Sequence, residues 1–130
     1  MTEASGKTVL IVEDNPLNMR LFTDLLEVSD YSVLQCVDGS TVHKQAVSEQ
    51  PDLIIMDIQL PQASGLDITR WLKDDDRTKH IPVLAVTAFA MRTDEERVRD
   101  AGCEGYLSKP IQIKSFIKMV DGLTAGKAAA

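Results

Sequence analysis

Four short apolar runs recur along the chain, and the polar residues that follow them constrain its fold more than any other feature. Near-continuous apolar runs are typical of parallel strands that are buried on both faces. In an open parallel sheet, the functional crevice lies beyond the carboxyl ends of the strands. The residues expected in that crevice are Glu13 and Asp14 after the run 9–12, Asp57 after 53–56, Thr87 after 83–86, and Lys109, which follows 105–107 and Ser108.

Helical patterns separate these runs, which predicts consecutive βαβ units. Asn15 and Pro16 suit the N-cap and first residue of a helix after the first strand, and Ser64 is a candidate N-cap later in the chain. A more polar strand is predicted at 32–36. About five strands and five helices predict an α/β fold, a doubly wound five-stranded parallel sheet with the flavodoxin-like strand order 2-1-3-4-5 and helices on both faces. Strands 1 and 3 are neighbours in that order, so Asp14 and Asp57 are expected to meet.

The chain has 130 residues, of which 44% are apolar and 26% are charged, and we expect one domain over residues 7–123 with flexible tails at 1–6 and 124–130. A net charge of −6 argues against binding to nucleic acid or to anionic membranes. The sequence contains neither an apolar stretch of the roughly 20 residues that a membrane span needs nor a signal-peptide pattern. These features predict a cytoplasmic protein without membrane insertion.

Three carboxylates and one ammonium at the same edge of the sheet would leave two negative charges uncompensated. Mg²⁺ prefers carboxylates, waters and phosphate oxygens, so Glu13, Asp14 and Asp57 are predicted metal ligands. A carboxylate beside such a cation is suited to act as a nucleophile on phosphorus, and Asp57 is the candidate. Lys109 and Thr87 would then hold the phosphoryl oxygens. The competing interpretation treats these side chains as ordinary polar loop residues, but it leaves their common position at four strand ends unexplained.

The same residues, in this order and spacing, resemble the receiver domain of two-component response regulators. The resemblance extends over most of the chain, from about Val9 to Leu123, and is carried by Glu13-Asp14-Asn15, Met56-Asp57, Pro61, Gly65, Thr87-Ala88, Tyr106 and Lys109-Pro110. It implies that Asp57 is the phosphoacceptor and that the backbone carbonyl of Gln59 joins the carboxylates as a Mg²⁺ ligand. It also implies that Thr87 and Tyr106 form a switch, and that the bond between Lys109 and Pro110 is cis.

For function, the resemblance implies Mg²⁺-dependent transfer of a phosphoryl group to Asp57 from a histidine kinase or a histidine phosphotransfer protein. The protein would be a monomer, and not an enzyme beyond catalysing its own phosphoryl acceptance and slow self-dephosphorylation. Its signal would pass to a kinase-like or adaptor partner through the surface from Ala88 to Ala101 and from Tyr106 to Leu123. A further similarity to bacterial single-domain regulators of cell division and polarity implies a role in cell-cycle control and a polar location.

Other functions remain open at this point. One is a phosphorelay shuttle receiver, which passes the phosphoryl group onward. A phosphatase of the haloacid dehalogenase type would need an acid two residues after the nucleophile, and position 59 is Gln. A nucleotide-binding domain would need glycine-rich phosphate loops, and Glu13-Asp14 stands in their place. A degenerate receiver that is never phosphorylated conflicts with the complete set of site residues.

Overall fold

The computed structural model of this chain describes residues 7–60, 64–87, 92–109 and 111–129, with 92–95 and 125–129 described by their backbone alone. The strands are β1 (Thr8–Val12), β2 (Ser32–Cys36), β3 (Leu53–Asp57), β4 (Val83–Thr87) and β5 (Gly105–Ser108). The helices are α1 (Pro16–Val28), α2 (Val42–Glu49), α3 (Gly65–Lys73), α4 (Arg92–Ala101) and α5 (Ile113–Ala129), and a short 3₁₀ helix, Gly39–Thr41, precedes α2.

The five strands form one parallel sheet in the order β2-β1-β3-β4-β5, which confirms the predicted topology. β3 and β4 are buried along their whole length, as expected of strands covered on both faces. Among the described helices, none is both long and apolar enough to cross a membrane.

The sheet separates two hydrophobic cores because successive side chains of a strand point to opposite faces. One face packs against α1 and α5, and its buried members include Val9, Ile11, Phe22, Leu26, Ile55, Phe116 and Val120. The rings of Phe22 and Phe116 stack with their centroids 5.4 Å apart and tie these two helices together. The other face packs against α2, α3 and α4 through Leu10, Val12, Val42, Ile54, Ile68, Leu72, Ala85 and Val98.

Two helices begin directly after site segments, and local capping explains both starts. The side-chain oxygen of Asn15 accepts hydrogen bonds from the N–H groups of Leu17 and Asn18, at 2.9 and 3.1 Å, and Pro16 is the first residue of α1. Ser64 Oγ accepts from the N–H of Leu66 at 3.1 Å at the start of α3. Each cap satisfies helix N–H groups that have no partner within the helix.

At the amino ends of the strands, carboxylates accept hydrogen bonds from the first strand N–H groups. Asp52 Oδ2 accepts from the N–H of Thr8 at 2.9 Å, and Glu104 Oε1 accepts from the N–H of Val83 at 2.8 Å. The other oxygen of Glu104 lies 2.7 Å from Lys73 Nζ. These acids fasten β1 and β4 to the segments that enter β3 and β5.

The last helix extends to Ala129, beyond Leu123, so the structure describes helix over 124–129, where the sequence predicts a flexible tail. Thr124 is 2% exposed, and its hydroxyl is 3.1 Å from that of Tyr31. Tyr31 also donates a hydrogen bond to the carboxylate of Asp121, and Lys7 Nζ donates to the carbonyl of Thr124 at 3.1 Å. These partners are distant in sequence, so the local pattern did not reveal them. Residues 1–6, the other predicted tail, lie outside the described residues.

Candidate functional site

The sheet register brings the acidic residues of two strands to one place. Val12, the last residue of β1, pairs with Met56, the residue before the end of β3. Glu13 and Asp14 leave β1 at the level where Asp57 ends β3, and one carboxylate oxygen from each of the three lies within 4.8 Å of the others. The sequence predicted this meeting from the strand order.

Burial makes the charge of this cluster consequential. Glu13 is 1% exposed and Asp57 is 4% exposed, whereas Asp14 faces solvent. Lys109 Nζ lies 3.3 Å from Glu13 Oε1 and 3.6 Å from Asp57 Oδ2. Two buried carboxylates therefore share one ammonium group, and burying a carboxylate without full compensation is costly.

Backbone N–H groups orient each buried carboxylate. The N–H of Gln59 donates to Asp57 Oδ1 at 2.9 Å. The N–H of Asn15 donates to Glu13 Oε2 at 3.1 Å. Each acid thus directs one oxygen to its own loop and the other to Lys109, which fixes the direction in which the two carboxylates face.

Glu13 responds to this surplus of negative charge. Its pKa is raised from 4.5 to about 7, first because burial disfavours the carboxylate, and then because of the hydrogen bond and charge of Asp57. The N–H of Asn15 and the positive charge of Lys109 both lower the pKa of Glu13, but they do not outweigh burial. Burial and the neighbouring Asp57 carboxylate therefore disfavour full ionisation of Glu13 near neutral pH.

Thr87 and Lys109 are held beside the carboxylates by the remaining strands. Thr87 ends β4 and is 1% exposed. The N–H of Lys109 donates to the carbonyl of Thr87 at 2.8 Å, and the N–H of Ile58 donates to the carbonyl of Val86 at 3.2 Å. All five polar residues predicted from the strand ends therefore stand at the same edge of the sheet.

Tyr106 stands apart from this edge, one residue into β5. Its side chain is half-buried and packs against the cluster that contains Leu66, Ala85 and Val98. It lines a surface cavity of about 240 Å³ together with Arg99, Cys103, Glu104 and Met119. The predicted switch residue thus has open space on its α4–α5 side. The predicted cis bond involves Pro110, which lies outside the described residues, as do residues 88–91 of the predicted output surface.

Gly65, the first residue of α3, contributes to the family resemblance but has no role predicted from the sequence. A Cβ atom at this position would lie 2.5 Å from the carbonyl oxygen of Asp57 and 2.6 Å from Ile58 Cα. A glycine that directly follows an N-cap after the acidic strand is the signal that could have found it, but the close approach of α3 to β3 is needed to interpret that signal.

The donor set fits a hard divalent cation. Mg²⁺ and Ca²⁺ take oxygen ligands and are commonly held by carboxylates, and the cluster presents three carboxylates from two adjacent loops. The raised pKa of Glu13 supports the fit, because a bound cation would supply the missing positive charge.

Comparison with known proteins agrees with this geometry. The family model of the response regulator receiver domain matches residues 9–121. The chain is 57% identical over 114 residues to the polar-differentiation response regulator DivK of Brucella anthropi, covering 88% of this chain and 93% of that protein, and 56% identical over 114 residues to DivK of Brucella melitensis, with the same coverage.

Among solved structures, the receiver domain of a sensor histidine kinase from Pseudomonas aeruginosa aligns with a TM-score of 0.85 and 29% identity, covering 92% of this chain and 98% of that one. That structure has a magnesium ion coordinated in its active site cleft. The receiver domain of a histidine kinase from Syntrophus aciditrophicus aligns with a TM-score of 0.85 and 28% identity, covering 92% and 91% of the two chains. The parallel sheet, the acidic cluster and the matched family model together show that this chain belongs to the response regulator receiver domain family.

Proposed function

We propose that this protein transmits a signal by accepting a phosphoryl group on Asp57. The observation that carries the proposal is the placement of Asp57, a buried carboxylate 3.6 Å from Lys109 and within 4.8 Å of two further acids. Among the acids of this cluster, Asp57 alone belongs to a strand, so the sheet ladder holds its backbone. Phosphoryl transfer requires a fixed nucleophile, here Asp57, beside a fixed positive charge, here Lys109. Its catalysis consists largely of positioning and charge stabilisation.

Glu13, Asp14 and Asp57 would hold Mg²⁺, with the backbone carbonyl of Gln59 as a further ligand. The related receiver domain from Pseudomonas aeruginosa, which has magnesium in its cleft, supports this assignment. When bound, the ion supplies positive charge that offsets the carboxylates and the incoming phosphate. The exposed position of Asp14 leaves one side of the cluster open to solvent and to a donor.

The phosphoryl donor would be a phosphohistidine on a histidine kinase or on a histidine phosphotransfer protein. An oxygen of Asp57 forms the new O–P bond while the N–P bond to the donor imidazole breaks, and the imidazole nitrogen retains the electron pair and takes up a proton. Lys109 lies where its ammonium would meet one phosphoryl oxygen, and the Thr87 hydroxyl would donate to another. The chain thereby catalyses its own phosphorylation and a slow hydrolysis, and it needs no other substrate.

The output step would use Thr87 and Tyr106 as a switch. Phosphorylation replaces the single negative charge of the Asp57 carboxylate with about two on the phosphoryl group, and these attract the Thr87 hydroxyl toward the phosphate. The half-buried ring of Tyr106 stands on the neighbouring strand, beside the 240 Å³ cavity, and would move inward. Such a movement shifts an existing equilibrium and changes the surface of α4, β5 and α5 that a kinase-like or adaptor partner contacts.

The biological role we propose is control of cell division and cell polarity. The Brucella relatives that are named polar-differentiation response regulators cover nearly the whole chain at 56–57% identity, which supports it. A cytoplasmic protein with a polar location and a monomeric state in the absence of phosphate fits this role. The partner would recognise the protein surface, since the net charge of −6 disfavours nucleic acid.

Intact mass after incubation with acetyl phosphate tests the proposal. The wild-type protein should gain one phosphoryl group with Mg²⁺, none with excess chelator, and none in Asp57→Asn. Asp52→Asn is the matched control, because Asp52 is an acid at the opposite end of the same strand, where it caps Thr8. An adduct that persists in Asp57→Asn, or that forms equally in chelator, would refute the assignment.

A further inference from the structure

The first turn of α3 lies directly against the backbone of the proposed phosphoacceptor. The N–H of Gly65 donates to the carbonyl of Ile58 at 3.2 Å. Gln59 and Ser64 form an isolated antiparallel bridge next to this hydrogen bond. The segment Asp57-Ile58-Gln59, which contains the carboxylate nucleophile and a proposed ligand carbonyl, is therefore held by the N-terminus of this helix.

Gly65 stands at the closest point of this contact. A Cβ atom there would lie 2.5 Å from the carbonyl oxygen of Asp57, 2.6 Å from Ile58 Cα and 3.0 Å from Met56 Cγ. Carbon atoms in contact prefer separations of about 3.5–4.0 Å, so the first two distances are severe overlaps. Both involve backbone atoms, which cannot move aside by changing a rotamer. A side chain at 65 would have to displace the end of β3 or the start of α3.

Other glycines of the chain are subject to different constraints. Gly102 has a φ of +106°, a backbone conformation that favours glycine by itself. A Cβ at Gly105 would meet side-chain atoms of Leu84, Leu123 and Met119 at 3.0–3.3 Å, and a Cβ at Gly122 would meet nothing within 4 Å. At position 65, glycine is required because the backbone of Asp57, the proposed phosphoacceptor, leaves no room for a Cβ atom.

We infer that Gly65 is a positioning residue for the phosphoryl-transfer site, which sets the place of the Asp57–Gln59 backbone relative to Lys109 and the acids of β1. The inference rests on the proposed function of Asp57. Asp57 Oδ1 accepts from the N–H of Gln59 at 2.9 Å while Asp57 Oδ2 faces Lys109 at 3.6 Å. A shift of this backbone would turn the carboxylate and move the Gln59 carbonyl together, although Gly65 itself touches neither phosphate nor cation.

The test compares three glycine-to-alanine variants of the full chain. Gly65→Ala places a methyl group against Asp57, Gly105→Ala on β5 crowds side chains of β4 and α5, and Gly122→Ala adds a methyl group in open space on α5. For each we would measure the Mg²⁺ dissociation constant by calorimetry, the rate of phosphorylation by acetyl phosphate at saturating Mg²⁺, and the thermal midpoint. We expect Gly65→Ala to weaken Mg²⁺ binding about ten-fold and to slow phosphorylation about ten-fold or more. Both controls should stay within about two-fold of wild type on these readouts, since neither methyl group touches the site.

The outcomes separate this inference from the proposed function. Absence of phosphorylation in the wild type would overturn the function itself. Wild-type phosphorylation with an equal rate and Mg²⁺ affinity in Gly65→Ala would overturn the positioning role alone. The same would follow if Gly105→Ala lost rate and affinity as much as Gly65→Ala, because general destabilisation would then explain both.

A second measurement covers the case in which Gly65→Ala fails to fold. In the wild-type protein, Mg²⁺ at the acidic cluster should shift the amide resonance of Gly65, because its N–H is bonded to the carbonyl of Ile58. The amide of Gly122 is the reference that should not move. A Gly65 resonance that stays constant through saturation with Mg²⁺ would overturn the inference without any variant.

Discussion

Both ends of the sheet carry acids that accept hydrogen bonds from backbone N–H groups, yet the two ends compensate their charge in different ways. At the amino ends, Asp52 and Glu104 accept hydrogen bonds from the first N–H groups of β1 and β4, and Lys73 forms an ion pair with Glu104. At the carboxyl ends, Glu13 and Asp57 each receive one loop N–H and share the single ammonium of Lys109.

The direction of the chain explains this difference. Parallel strands present free N–H donors at their amino ends and free carbonyl acceptors at their carboxyl ends. A carboxylate that is placed at the amino ends finds donors and stabilises the fold, whereas one at the carboxyl ends needs charge from elsewhere. Acids at the amino ends of the strands are therefore structural, and acids at the carboxyl ends are available to bind a cation and to react.

The largest expected effect comes from removing the shared ammonium. Without Mg²⁺, Lys109→Ala should lower the free energy of unfolding by roughly 2 kcal/mol, because two buried carboxylates lose their partner. Proton uptake by Glu13 keeps the loss below that of a fully buried ion pair. Urea unfolding with and without Mg²⁺ measures it, and the ion should restore much of the difference from wild type. Equal losses in both conditions would mean that the carboxyl end needs no added cation.

An acid at the amino end should behave as a purely structural group. Glu104→Ala removes the acceptor of the Val83 N–H and the partner of Lys73, and should lower the free energy of unfolding by about 1–2 kcal/mol. Its phosphorylation rate with acetyl phosphate should equal that of the wild type. A stable variant with slowed phosphorylation would break the division between the two ends.

Tyr31 directly precedes β2 at the amino end of the sheet. Its titration gives a pH-dependent test of the structural role of this end. Its pKa is raised from 10.0 to about 12, mainly by burial and then by its hydrogen bond to Asp121. The folded chain holds this proton more tightly than the unfolded chain, so the stability it contributes is complete below pH 10 and is lost as the pH rises through 12.

The matching variant is Tyr31→Phe, which should cost about 1 kcal/mol at neutral pH through the lost hydrogen bonds. Chemical unfolding at several pH values should show the gap between variant and wild type narrowing above pH 10. A gap that stays constant to the highest pH would contradict the raised pKa.

The smallest expected effect has the opposite sign. Glu13→Gln removes one of two buried carboxylates while keeping an oxygen for the Asn15 N–H, and it should raise the free energy of unfolding without Mg²⁺ by about 0.5–1 kcal/mol. The same change at the amino end, Glu104→Gln, should destabilise. Mg²⁺ binding, followed by calorimetry, should weaken in Glu13→Gln. If Glu13→Gln and Glu104→Gln destabilise the protein equally, the carboxyl end carries no excess of uncompensated negative charge.

The sequence predicted the sheet order and the five polar residues at its carboxyl edge, because strand pattern and strand ends are local signals. It did not predict that Asp52 and Glu104 cap distant strands, because their partners Thr8 and Val83 become neighbours only through the fold. The overlap that excludes a side chain at Gly65 is similarly invisible in the sequence, since it depends on how closely α3 approaches β3. Roles assigned to Tyr106 and to the Gln59 carbonyl came from family resemblance and stay predictions.

The burial of Thr124 has a practical consequence for anyone who shortens this protein. The family match stops at residue 121, and a truncation there looks safe from the alignment alone. It would remove the carbonyl that Lys7 contacts and the hydroxyl that meets Tyr31, and would leave a new terminal carboxylate at Asp121, the acceptor of Tyr31. A fragment for expression or fusion should therefore extend at least through the helical turn after Thr124, and a tag should be attached beyond it.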